Sequence, residues 1–251
     1  MLATTAIDQP TITPPLPRSC SLGLGLRRET VDLIIAYKDY PGLVMAGSSN
    51  IAEKHFSELG GWIRVIGGPS LEALEKKAER AATNGTPYEA IGYGLETSNS
   101  TPAEEWQNLT LSTEKSQGIA DIHNKLLLMG PGFRLMSENE DLYGDMAALA
   151  DIWIIQTQRL QVHPPDPDYR EEVIRVIEKI KSGNPDISIW AQITFPPDRE
   201  PDANEWLAYH NAIVDMVDGT YIGVYNWDVG NHEKILTTIN TIFSKVCGGS
   251  D

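Results

Sequence analysis

Eight short runs of apolar and β-branched residues recur from residue 21 onward, and most are followed by a longer amphipathic stretch. A buried parallel strand reads as a near-continuous apolar run, and two such strands in one sheet need a crossover connection, usually a helix. The alternation therefore restricts the chain to a parallel α/β architecture. The expected strands are Ser21–Leu26, Leu43–Ala46, Trp62–Ile66, Tyr88–Leu95, Lys125–Met129, Ile152–Thr157, Ile187–Thr194 and Tyr221–Tyr225. Val31–Tyr37 is a weaker alternative for the first strand, because it leaves almost no connection before the second. Among the intervening helices, one spans about Glu29 to Asp39 and one opens at Ser70 and stops at Asn84-Gly85. Another is capped by Thr101 with Pro102 at its first position, one lies around Glu140 to Leu149, and the last is His232–Lys245.

Eight units in 251 residues match a closed (β/α)8 barrel, which takes roughly 250 residues. An open doubly wound sheet of that size would more often carry a GxGxxG crevice motif, and none is present. The expected organisation is an extended Pro-rich arm over residues 1–19 and a single TIM barrel over residues 20–251.

Thirty-five Asp and Glu against 20 Lys and Arg give a net charge of -15, which repels nucleic-acid phosphates and anionic lipid. No nucleic-acid or membrane partner is expected, and no stretch reaches the ~18 apolar residues of a spanning helix. Residues 1–19 hold four Pro and no apolar run of the signal-peptide type. A soluble chain, cytoplasmic by default, is the expectation, with secretion after removal of a leader left open. Cys20 and Cys247 form no CxxC or CxxxH spacing, so neither a zinc site nor a disulfide framework is read from them.

In a TIM barrel the chemistry gathers at the C-terminal strand ends and the loops after them. Here those positions are Arg27 and Arg28, residues 48–50, Gly67 and Gly68, Glu96, residues 130–134, 156–163 and 192–195, and residues 225–228. No strand carries a lysine beyond its first residue, which argues against a Schiff base inside the barrel. Four of the five histidines fall on or beside helices, leaving His163, so no set of metal ligands converges and no metal or cofactor is expected. The loops after the seventh and eighth strands, Thr-Phe-Pro-Pro-Asp-Arg and Asn-Trp-Asp-Val-Gly-Asn, are not the Gly-rich loops of the usual phosphate site, which disfavours phosphate there.

What remains is a carboxylate, amides and aromatics. Glu96 closes the fourth strand, where an acid hemmed by apolar groups is suited to donate or accept a proton. Gln156 and Gln158, two apart on the sixth strand, share a face and with Gln192 offer amides to a polyhydroxylated ligand. Tyr225, Trp227 and Trp190 offer rings on which a sugar could stack. Each of these amides and rings has a structural alternative, filling a polar layer or packing in the core.

Glu96 followed by Thr101-Pro102-Ala103-Glu104-Glu105, and Asp151-Ile-Trp-Ile-Ile-Gln-Thr-Gln158 followed by a helix ending in Asn184-Pro185, resemble mostly uncharacterised glycoside-hydrolase-like TIM barrels over roughly residues 87 to 227. More distantly the chain is similar to family 18 chitinases, whose fourth strand ends in alternating Asp residues and a final Glu. The resemblance implies that Glu96 is the acid and that Trp227 is the aromatic floor. Gly92 and Gly94 stand where the family's Asp residues would be, so the orienting carboxylate of that mechanism is missing. The two-carboxylate alternative needs a second acid, for which Asp228 is the candidate, facing Glu96 across the mouth in a geometry closer to inversion.

The sequence thus points to a hydrolase-like barrel acting on a small-molecule or glycan ligand, with Glu96 and Asp228 as carboxylates and Gln156, Gln158, Gln192, Tyr225 and Trp227 binding the ligand. The alternatives are a non-catalytic glycan- or protein-binding barrel and a lyase or isomerase of a small metabolite.

Overall fold

The computed structural model describes residues 21–98, 100–161, 168–196, 198–224 and 232–248. Eight parallel strands close into one barrel in sequence order. They are β1 (Leu22–Leu26), β2 (Gly42–Ala46), β3 (Trp62–Gly68), β4 (Ala90–Tyr93), β5 (Leu126–Met129), β6 (Ile152–Gln156), β7 (Ser188–Phe195) and β8 (Gly219–Val224). The helices are α1 (Val31–Ala36), α2 (Ser49–His55), α3 (Leu71–Asn84), α4 (Ala103–Gln107), α5 (Leu109–Ile122), α6 (Phe133–Ser137), α7 (Tyr143–Ala147), α8 (Asp168–Gly183), α9 (Ala203–Ile213) and α10 (His232–Cys247). The ring closes where Leu22, Gly23 and Leu24 pair in parallel with Thr220, Tyr221 and Ile222. The molecule is a (β/α)8 TIM barrel, and Val31–Ala36 is a helix, as the preferred reading of the first unit required.

Strand side chains divide by the period of two. One set, including Leu43, Val65, Ala90, Leu128, Ile152, Ile154 and Trp190, fills the barrel interior. The other, including Leu24, Val44, Ile66, Ile91, Trp153 and Ile193, packs outward under the helices. Trp190 is therefore a filler and not a stacking surface at the mouth. It is 3% exposed, and a Cβ at Gly219 would lie 2.5 Å from its ring. Glycine at that position is what lets so large a side chain fit.

Several boundaries differ from expectation, each for a local reason. Just before β4, Glu89 pairs with its neighbours through backbone and side chain together: its N–H donates to Arg64 O at 2.9 Å, its carbonyl accepts from the Leu126 N–H at 3.0 Å, and its carboxylate accepts from the Arg64 backbone N–H at 2.8 Å and from Arg64 Nε at 3.0 Å. Thr101 does not cap α4. Its hydroxyl donates to Pro69 O at 2.7 Å, tying the loop after β4 to the loop after β3, and Pro102 takes the cap position. The stretch from Glu140 divides into a 3-10 turn at Glu140–Leu142 and the single helix α7. Cys247, at the end of α10, is disulfide-bonded, which corrects the reading of the cysteines. The other cysteine, Cys20, lies outside the described residues, as does the Pro-rich arm.

Beneath α9, His210 is 6% exposed, bonded through Nδ1 to Thr220 Oγ1 at 3.0 Å and stacked on Trp206. Burial lowers its pKa from 6.5 to about 4, so the unfolded chain binds a proton there that the folded chain refuses. Stability then falls as pH drops through 6.5 toward 4. Urea titrations should show wild type losing about 2 kcal/mol from this group between pH 7 and pH 5, and His210→Gln losing correspondingly less. An equal loss in both proteins would contradict this assignment.

Candidate functional site

At the C-terminal ends of the strands the barrel opens into a cavity of about 490 Å³. Interior positions that end in glycine make the room. Gly67, Gly92, Gly94, Gly130 and Gly223 all reach the cavity wall, so backbone and not side chain faces a ligand over much of the mouth. Leu128, Ile154 and Tyr221 lie below. Burial raises the Tyr221 phenol to about 12, so it stands as a neutral hydroxyl at the floor.

β4 ends at Tyr93 and not at Leu95, and Glu96 lines the cavity from the loop just past the strand end, together with Gly92 and Gly94. Its carboxylate is exposed, with Gly132 beside its Cγ, so the apolar enclosure expected around it is absent. It is held by an amide: Gln156 Nε2 donates to Glu96 Oε1 at 2.9 Å and to Gly130 O at 3.0 Å. Gln158 Nε2 in turn donates to Gln156 Oε1 at 2.8 Å. With both ends of the Gln156 amide engaged, its orientation is set and Glu96 has a fixed partner.

Gln156 and Gln192 both line the cavity. Gln158 does not, which corrects its placement on the same strand face. β6 stops at Gln156 and the chain turns into a 3-10 helix at Thr157–Arg159, so the alternation that would have carried Gln158 inward is broken. It braces Gln156 from behind. Tyr225, Trp227, Asp228 and His163 lie outside the described residues.

Two cations that sequence reasoning did not single out as site residues share the cavity: Arg27, at the end of β1, and Lys77, on α3. A helix following a strand runs back down the barrel, and its side chains lean toward its own N-terminus. The Lys77 ammonium therefore reaches the mouth, donating to Gly47 O at 2.7 Å and Gly67 O at 2.6 Å. Burial lowers its pKa. The sequence signal was available: Lys77 stands three after Leu74 and four before Ala81, beside the stripe that α3 buries. Arg27 is placed by its turn, where its backbone N–H donates to Thr30 Oγ1 at 3.0 Å while that hydroxyl donates to Gly25 O at 2.7 Å.

Nearby, Glu105 is 7% exposed and accepts from the Leu71 N–H at 3.1 Å and from Tyr93 O–H at 2.6 Å. It serves the first turn of α3, the helix that delivers Lys77. Among the described residues no group of three or more His, Cys, Asp and Glu side chains is placed to hold a metal ion, and no helix is long and apolar enough to cross a membrane.

No protein-family model matches the chain, and no curated protein sequence does. Its fold is similar to solved structures. An archaeal fructose-1,6-bisphosphate aldolase, with its catalytic Lys bound to the carbinolamine intermediate of its substrate, is 13% identical; the match covers 90% of this chain and 95% of that one, with a TM-score of 0.52. A Rhizomucor miehei β-1,3-glucanosyltransferase mutant in complex with laminaritriose is 11% identical over 82% of this chain and 88% of that one, with a TM-score of 0.53. A truncated 3-deoxy-D-arabino-heptulosonate 7-phosphate synthase from Thermotoga maritima is 16% identical over 71% of this chain, with a TM-score of 0.43, and the chain spans 61% of that protein's length. At these identities the likeness shows the TIM-barrel fold alone and leaves the chemistry to the site.

Proposed function

We propose that the mouth cavity is the active site of an enzyme acting on a carbohydrate or other polyhydroxylated compound, with Glu96 transferring a proton as general acid or base. The observation that carries this reading is the Glu96–Gln156 pair at the edge of a glycine-lined cavity. Gln156 occupies Oε1, and Oε2 has no partner among the described residues, so one carboxylate oxygen is oriented and the other is available to the ligand. The Gln192 amide and the Tyr221 hydroxyl supply further hydrogen-bonding groups on the wall and floor, the pattern by which polar ligands are oriented in such cavities.

A glycosidase of the usual kind uses two carboxylates about 5 to 9.5 Å apart. Among the described residues Glu96 is the one carboxylate that lines the cavity. That observation favours a second reading within the same site, a lyase or isomerase in which one carboxylate moves a proton on a small hydroxylated substrate. Assays on a panel of glycosides and of small hydroxy-carbonyl compounds separate the two, since water is consumed only in the first. Binding of panel compounds with no turnover of any would favour the non-catalytic barrel.

Gly94 offers a test of location that spares the fold. A Cβ there would meet nothing closer than Gly68 O at 3.9 Å, and its backbone is not in the left-handed region. Gly94→Leu should therefore fold with a stability change of no more than about 1 kcal/mol, yet fill the cavity and weaken binding and turnover by about 100-fold or more. Wild-type turnover in a folded Gly94→Leu protein would place the active site elsewhere.

A further inference from the structure

The cavity's charge runs against that of the chain. The protein carries a net charge of -15, yet the charged side chains among the described lining residues are two cations, Arg27 and Lys77, and one carboxylate, Glu96. Neither cation is in an ion pair with a described carboxylate, although most of the chain's other described Arg residues, such as Arg64, Arg80 and Arg170, are. Lys77 is instead held by two strand-end carbonyls, which orient the ammonium without neutralising it. The charges are also segregated. Arg27 ends β1 and Lys77 bridges the ends of β2 and β3, whereas Glu96 follows β4 and its partner Gln156 ends β6. The β1–β3 side of the mouth is cationic, and the β4–β6 side carries the proton-transferring carboxylate.

We infer that the substrate is an anionic polyol, a sugar acid or sugar phosphate, whose charged group docks between Arg27 and Lys77 while its hydroxylated end faces Glu96. The inference rests on the proposed site but adds the chemical class of the ligand. A guanidinium and a fixed ammonium converging on one anion form the kind of charge-assisted contact that gives orientation as well as affinity. The anion would sit over β1–β3, away from the loops after the seventh and eighth strands where such barrels usually bind phosphate. Gly47, whose missing Cβ opens onto free space at the end of β2, lets an anion approach the Lys77 ammonium.

The test is calorimetric titration of the full chain at low ionic strength with glucose, glucuronate and glucose 6-phosphate. At least one of the two anions should bind about tenfold more tightly than glucose, and the one preferred identifies the charged group. Arg27→Gln and Lys77→Met should each erode that preference. Arg27 is exposed, so its variant remains informative if Lys77→Met fails to fold. Glucose bound as tightly as both anions, no binding of either anion, or an anion preference intact in Arg27→Gln would overturn the inference. Anion preference without turnover of any compound would defeat the catalytic reading and leave this one standing; turnover of neutral sugars alone would do the reverse.

Discussion

Glu96→Gln is expected to lower turnover about 10²- to 10⁴-fold, the range that a positioned general acid or base contributes. The substitution removes the exchangeable proton site and little else. The amide is isosteric, its oxygen can still accept from Gln156 Nε2, and the side chain is exposed, so stability should change by no more than about 0.5 kcal/mol. Ligand affinity should stay near wild type, because Gln192, Tyr221 and the glycine wall are untouched. The signature is a fall in kcat with little change in Kd, measured by single-turnover kinetics alongside titration. A variant with wild-type kcat would remove Glu96 from the chemistry.

The largest stability effect is expected far from the mouth. Gly183, the last residue of α8, lies so close to α7 that a Cβ there would stand 1.8 Å from Gly144 O and 2.5 Å from Gly144 C. These are backbone atoms, which cannot rotate away as a side-chain tip can, so α7 and α8 must separate. Gly183→Ala should cost about 3 kcal/mol, the upper range for overpacking, and lower Tm by roughly 10 °C. The same substitution at Gly118, inside α5 with open space around it, should instead stabilise by about 0.5 to 1 kcal/mol. Opposite signs at the two sites, read by thermal unfolding, would show that close helix approach and not glycine as such is responsible. A Gly183→Ala protein as stable as wild type would contradict the α7–α8 contact.

The barrel was legible because its strands are buried on both faces and so read as apolar runs, and Glu96 was legible because a residue just past the C-terminal end of a barrel strand falls at the mouth. What escaped were features decided by tertiary geometry. Trp190 looks like a mouth aromatic by its position near a strand end, but the gap left by Gly219 draws it into the interior. Gln158 looks paired with Gln156 until the strand ends between them. Lys77 escaped because it stands on a helix and not at a strand end; α3 carries it beside its buried stripe and points it back at the mouth. The acid excess likewise concealed a cavity wall of opposite sign.

Whether the ligand binds and reacts in the glycine-lined mouth beside Glu96 can be read from a crystal structure of the Glu96→Gln protein soaked with the tightest-binding compound of the titration series. The compound is expected in the mouth cavity, with a hydroxyl within hydrogen-bond distance of residue 96 and its charged group between Arg27 and Lys77. Density for the compound at any other surface, with the mouth empty, would contradict this placement.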